Sequence, residues 1–225
     1  MAVEDPGYMN FIGNLAVITT VIQFMSGVLV CKQYVRDKTT AEASPLPFLF
    51  GVLSTGVWYF YGASKNDEKI MFVNAIGLIL MVFYVVVFFK YSYKRVFLLK
   101  QIFGCVILCL IIYGYIKLID HDSQRQLDVL GFLACNLTLL TLAAPLSKLK
   151  HVITVKSTEC LPFPMILMSF FVSALWYLYG YLIEDIYMIT QNIIGGLLAL
   201  FQLCLFCVYP RRPNHSPFLT KMVLA

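Results

Sequence analysis

The residues best equipped for chemistry are two asparagines, each sixteen positions after a tryptophan: Trp58 with Asn74, and Trp176 with Asn192. A carboxamide offers two donors and an acceptor, so it matches adjacent hydroxyls that both donate and accept. An indole offers a flat apolar face, suited to the C–H face of a pyranose, and one N–H donor. Each residue alone has a plainer explanation. A lone Asn in an apolar helix ties it to a neighbour, and a Trp near a membrane boundary belongs to the aromatic belt. The same pairing at the same spacing in two places favours a shared polar pocket for an uncharged polyol. No catalytic motif competes with that reading: there is no G-x-S-x-G, H-E-x-x-H or phosphate-binding loop. The histidines (His121, His151, His215) fall in expected loops or the tail. The expectation is a protein that is not an enzyme and has no metal site and no cofactor.

The elements that must position these residues are themselves repeated. Residues 54–81 and 172–199 align at an offset of 118, with Trp58-Tyr-Phe-Tyr-Gly62 over Trp176-Tyr-Leu-Tyr-Gly180, Asp67 over Asp185 and Asn74-Ala-Ile-Gly77 over Asn192-Ile-Ile-Gly195. An internal duplication explains this better than chance between two apolar helices. The chain has 225 residues, 60% hydrophobic and 13% charged, with mean hydropathy +0.80. A soluble domain carries about 25% charged residues. Apolar stretches near the ~20 residues that span a bilayer fall at 11–31, 47–63, 70–89, 102–119, 129–146, 162–183 and 186–209. The acidic start, MAVEDPGY, lacks the pattern of a cleavable signal peptide. With the N-terminus outside, 13 of the 17 Lys and Arg lie on the cytoplasmic side, as the positive-inside rule requires. The net charge of +5 is therefore topology and implies no nucleic-acid partner. Seven cysteines, nearly all within expected helices, read as small apolar filler.

The expected fold is all-α and embedded in the membrane: seven transmembrane helices, in two parallel three-helix bundles joined by an inversion helix (3+1+3). A three-helix copy cannot follow directly in the same orientation, so one extra span must intervene. The divisions are 10–89, the linker helix and its loops at 90–126, 127–209, and a short cytoplasmic tail at 210–225. Counting along the helices places Trp58 and Asn74 roughly 7–11 Å, and Trp176 and Asn192 about 10–12 Å, below the outer edge. No charged side chain or His sits clearly within a span, which favours an uncoupled facilitator of a neutral solute. Pro47 and Pro162 open helices, whereas Pro145 lies inside a span and must remove a backbone hydrogen bond.

Together with Lys156-Ser-Thr-Glu-x-Leu-Pro162 and Ala143-Ala-Pro-Leu-Ser147, these motifs resemble the SWEET sugar uniporters over residues 10–209. The resemblance implies facilitative, bidirectional transport of a mono- or disaccharide by alternating access. Asn74 and Asn192 would bind the hydroxyls of a glucose-like sugar, Trp58 and Trp176 would bracket its ring, and Ser54 would add a weaker contact. Tyr61 and Asp185 match the family's outer gate, and Pro47, Pro145 and Pro162 match three of its four inner prolines. At the fourth position this chain has Gly27, which can also bend a helix but keeps its N–H. Plasma membrane and Golgi both remain open, as does a homo-oligomer. One rival is a PQ-loop-type transporter of another neutral or zwitterionic solute; Gln23 and Gln191 are present, but neither follows a proline. A seven-helix receptor is the other, although it would lack an internal repeat.

Overall fold

The computed structural model describes residues 6–41, 43–118 and 123–209, and among them every regular element is a helix. In order these are α1 (Pro6–Asp37), α2 (Leu46–Lys65), α3 (Glu68–Tyr91), α4 (Arg95–Leu118), α5 (Ser123–Thr141), α6 (Ala143–Val155), α7 (Phe163–Leu182) and α8 (Ile186–Val208). Six of them, all but α5 and α6, are long and apolar enough to cross a membrane. Their outward faces carry large apolar side chains such as Leu29, Ile79, Phe103 and Leu197, the pattern of an integral, multi-pass membrane protein.

The described residues form eight helical segments in place of the seven expected spans, because the stretch at 129–146 is divided. The division falls at Leu142, and α6 continues to Val155. Pro145 has no N–H to give the carbonyl of Thr141, so the ladder breaks one turn before it. His151, expected in a loop, therefore lies on α6, where it is exposed, whereas His121 and His215 lie outside the described residues.

In the first bundle α3 packs on both α1 and α2; in the second, α8 packs on both α5 and α7. The bundles meet twice, α1 against α7 and α2 against α5. Exchanging the first helix of one repeat with the first of the other, and second with second, turns one contact into the other. That is a pseudo-two-fold arrangement, with α4 between the repeats in sequence. Apart from Leu98, which packs with Leu49 and Phe88, and Ile112, α4 contributes little to the buried core.

Each repeat contains a tight helical hairpin. Asn66 and Glu184, again 118 apart, both adopt left-handed backbone, with φ of 57° and 54°. The following amides, of Asp67 and Asp185, donate to the carbonyls of Gly62 and Gly180 at 2.9 and 2.8 Å. Neither glycine has room for a Cβ, which would meet Ile70 at one hairpin and Met188 at the other. Asp67 and Asp185 then cap α3 and α8, each accepting two backbone N–H bonds at 3.0–3.1 Å. An N-cap carboxylate satisfies orphan amides and complements the helix dipole.

Candidate sugar site and its gate

A cavity of about 500 Å³ lies between the bundles, walled mainly by α1, α2, α3, α5, α7 and α8. Its lining includes Ser54, Trp58, Asn74 and Trp176, and extends past Gly27 to Pro47 and Met165 near the starts of α2 and α7. Among the described residues, no Asp, Glu, Lys, Arg or His lines it. The volume falls in the ~300–1,000 Å³ range of small-molecule sites.

The two tryptophans are 6% and 8% exposed, and their indole N–H groups are engaged across the bundle interface. Trp58 Nε1 donates to Thr138 Oγ1 at 2.9 Å, and Trp176 Nε1 donates to Thr20 Oγ1 at 2.7 Å. Thr20 and Thr138 are 118 apart. Each threonine hydroxyl donates to the carbonyl one helical turn earlier, Ala16 or Ala134, which leaves its lone pairs for the indole. Thr138 lies 2.9 Å from the Ser54 hydroxyl as well. Its own proton is committed, so Ser54 is the donor. The threonines are site residues that the motifs did not indicate; extending the 118-residue offset beyond the Trp–Asn block would have found them.

Above the tryptophans lies a second reciprocal layer. Tyr61 donates to Asp185 Oδ2 at 2.7 Å, and Tyr179 donates to Asp67 Oδ2 at 2.8 Å. In both carboxylates Oδ1 caps its own helix while Oδ2 reaches the opposite repeat. The layer is not symmetric in charge. Lys65 also reaches Asp185 Oδ2, at 2.6 Å, with the Asp185 side chain fully buried. Its counterpart 118 residues on is Ile183, so among the described residues Asp67 has no equivalent ion pair. The ordinary role of such a layer is to hold two bundles together, here on the face that bears the helical hairpins.

The expected site residues are not all brought to one place. Asn74 lines the cavity and donates Nδ2 to the Ile70 carbonyl at 2.8 Å. Asn192 makes the matching bond to Met188, also at 2.8 Å. It lines a separate shallow depression between α7 and α8, with Ser173 and Tyr177, and is not among the residues lining the central cavity. Pro47 sits in the first turn of α2 and Pro162 at the N-cap of α7. Pro145 lies on α6, where only its backbone is described. Gly27 lies within an unbroken α1, and a Cβ there would strike the ring of Tyr84, whose hydroxyl donates to Phe24 O at 2.8 Å.

Comparison with known proteins agrees with this architecture. A family model described as a sugar efflux transporter for intercellular exchange matches residues 10–96 and again 128–214. The chain belongs to the SWEET family. Sugar transporter SWEET1 of Drosophila pseudoobscura pseudoobscura is 37% identical over 204 residues, 90% of each chain. Sugar transporter SWEET1 of Mus musculus is 30% identical, over 92% of this chain and 94% of that one. A solved eukaryotic SWEET transporter superposes with a TM-score of 0.77 at 25% identity, covering 89% of this chain and 97% of its own. The two matched segments are the two SWEET repeats, and α4 lies between them.

Proposed function

We propose that this SWEET protein carries a neutral, glucose-like mono- or disaccharide across the membrane in either direction, without coupling to an ion. The observation that carries the reading is a cavity with an uncharged lining beside a layer, Tyr61–Asp185 and Tyr179–Asp67, that joins the repeats and is the proposed outer gate. Separating that layer while the opposite ends of α2 and α7 approach would present the same cavity to the other side. Pro47 and Pro162 stand at those ends and, with Gly27 and Pro145, are the proposed inner gate. On the charge distribution of the loops, the hairpin face is outside and the C-terminus cytoplasmic.

Within the cavity, Trp58 and Trp176 bracket the sugar ring while Asn74 and Ser54 contact its hydroxyls. Asn192 is proposed as a second amide from its match to Asn74 alone. The chemistry required of the chain is recognition and exclusion of charge; no bond of the solute is made or broken.

The direct test is exchange of labelled sugars into liposomes holding the purified protein. At least one hexose or disaccharide should equilibrate, at a rate indifferent to proton or sodium gradients. Asn74→Ala should lower flux about 10- to 100-fold, the loss expected when one or two buried hydrogen bonds to the solute go. Accumulation against the sugar gradient would overturn uniport, and full flux in Asn74→Ala would overturn the site.

A further inference from the structure

The repeat that yields Asn74 and Asn192 also pairs Val73 with Gln191, one residue earlier. Both side chains line the central cavity, so the two repeats meet there with different chemistry. Val73 is apolar and buried. Gln191 carries an amide whose Oε1 is buried and has no hydrogen-bond partner among the described residues. Buried polar groups are nearly always paired, and an unpaired one is costly to maintain. Such an acceptor beside a cavity that admits a polyol has an evident complement in a sugar hydroxyl. The terminal amide torsion is broad, so the group can turn either its oxygen or its NH₂ toward the cavity.

We propose that Gln191 is a sugar-contacting residue, and that through it the second repeat reads a particular hydroxyl that the first repeat, with Val73, does not. This rests on the sugar-transport reading above. The consequence is orientation. A ring held between Trp58 and Trp176 could otherwise bind in two poses related by the pseudo-two-fold axis. An amide on only one side removes that degeneracy: the hydroxyl-bearing edge faces α8 and the opposite edge faces Val73. Asn74 and Ser54, both from the first repeat, then contact the remaining hydroxyls. The residue aligned with Ser54 is Val172, so at this position too the two repeats differ in polarity.

The chain's only two tryptophans both line this cavity, so their fluorescence reports occupancy. The full-length protein would be titrated with the best-transported hexose of the panel and with each of its monodeoxy analogues. The wild type should bind one analogue roughly 3- to 10-fold more weakly than the parent sugar through its bond to Gln191. In Gln191→Met, which keeps the side-chain length, that ratio should fall to about 1, while discrimination at the other hydroxyls persists. Unchanged ratios at every position would overturn the proposal. Should Gln191→Met not give monodisperse protein, Gln191→Asn must still weaken the parent sugar by a similar factor, and unaltered affinity would overturn the proposal equally. Asn74→Ala is the control that separates the two claims. Weak binding in Asn74→Ala with normal ratios in the Gln191 variants defeats this inference alone, whereas a wild type that binds and moves no sugar defeats the transport reading as well.

Discussion

At the scale of single residues, Thr138 has the heavier duty of the two interface threonines. It receives both Trp58 and Ser54, whereas Thr20 receives Trp176. Thr138→Val would strand two buried donors and Thr20→Val one, at about 1–3 kcal/mol for each stranded group. Thermal unfolding in detergent should therefore rank wild type above Thr20→Val above Thr138→Val; equal losses would show that Ser54 finds another acceptor. Residue identity was legible in the sequence where a type is rare in an apolar helix, as with Trp58, Trp176 and Asn74. The threonines were hidden because a hydroxyl one turn from its own carbonyl carries no pattern of its own. Asn192 was legible as a repeat partner, but which way it faces depends on the rotation of α8, and a sequence offset does not contain that angle.

At the scale of elements, the hairpin turns invite a stability test. Asn66 and Glu184 hold the same left-handed backbone, which asparagine adopts at lower cost than glutamate. Glu184→Asn should stabilise the protein by roughly 0.5–1 kcal/mol, read as a rise in Tm in detergent with transport unaltered; a fall would mean that the Glu184 side chain holds something the turn needs. Gly27 offers the opposite case. Tyr84 is fully buried against it, so Gly27→Ala should cost about 1–3 kcal/mol by overpacking, with recovery when Tyr84 is also shortened to Leu. The positions of Gly27 and Pro145 are 118 apart, yet α1 runs unbroken through Gly27 while the chain divides ahead of Pro145. The break was legible from the missing N–H of proline. Its consequence for the helix count was not, because hydropathy alone runs across Leu142.

At the scale of the whole molecule, the sequence disclosed most of the architecture, since duplication together with an odd number of spans in each copy demands an intervening helix. It did not disclose the state of the cavity, which depends on small differences in how two bundles lean. If the Tyr61–Asp185 layer is the outer gate proposed above, Ser26→Cys in a cysteine-free background should react with a membrane-impermeant thiol reagent only from the face of Pro47 and Pro162. Adding Tyr61→Ala should open labelling from both faces; labelling of Ser26→Cys from the hairpin face alone would reverse the assignment. The divided use of Asp67 and Asp185 bears on the alternation proposed above. Because one oxygen of each carboxylate stays with its own hairpin, swinging the bundles apart need not fray α3 or α8. The bonds such a motion would surrender are those of the opposing tyrosines and Lys65, so the proposed alternation would have no step that begins to unfold either hairpin.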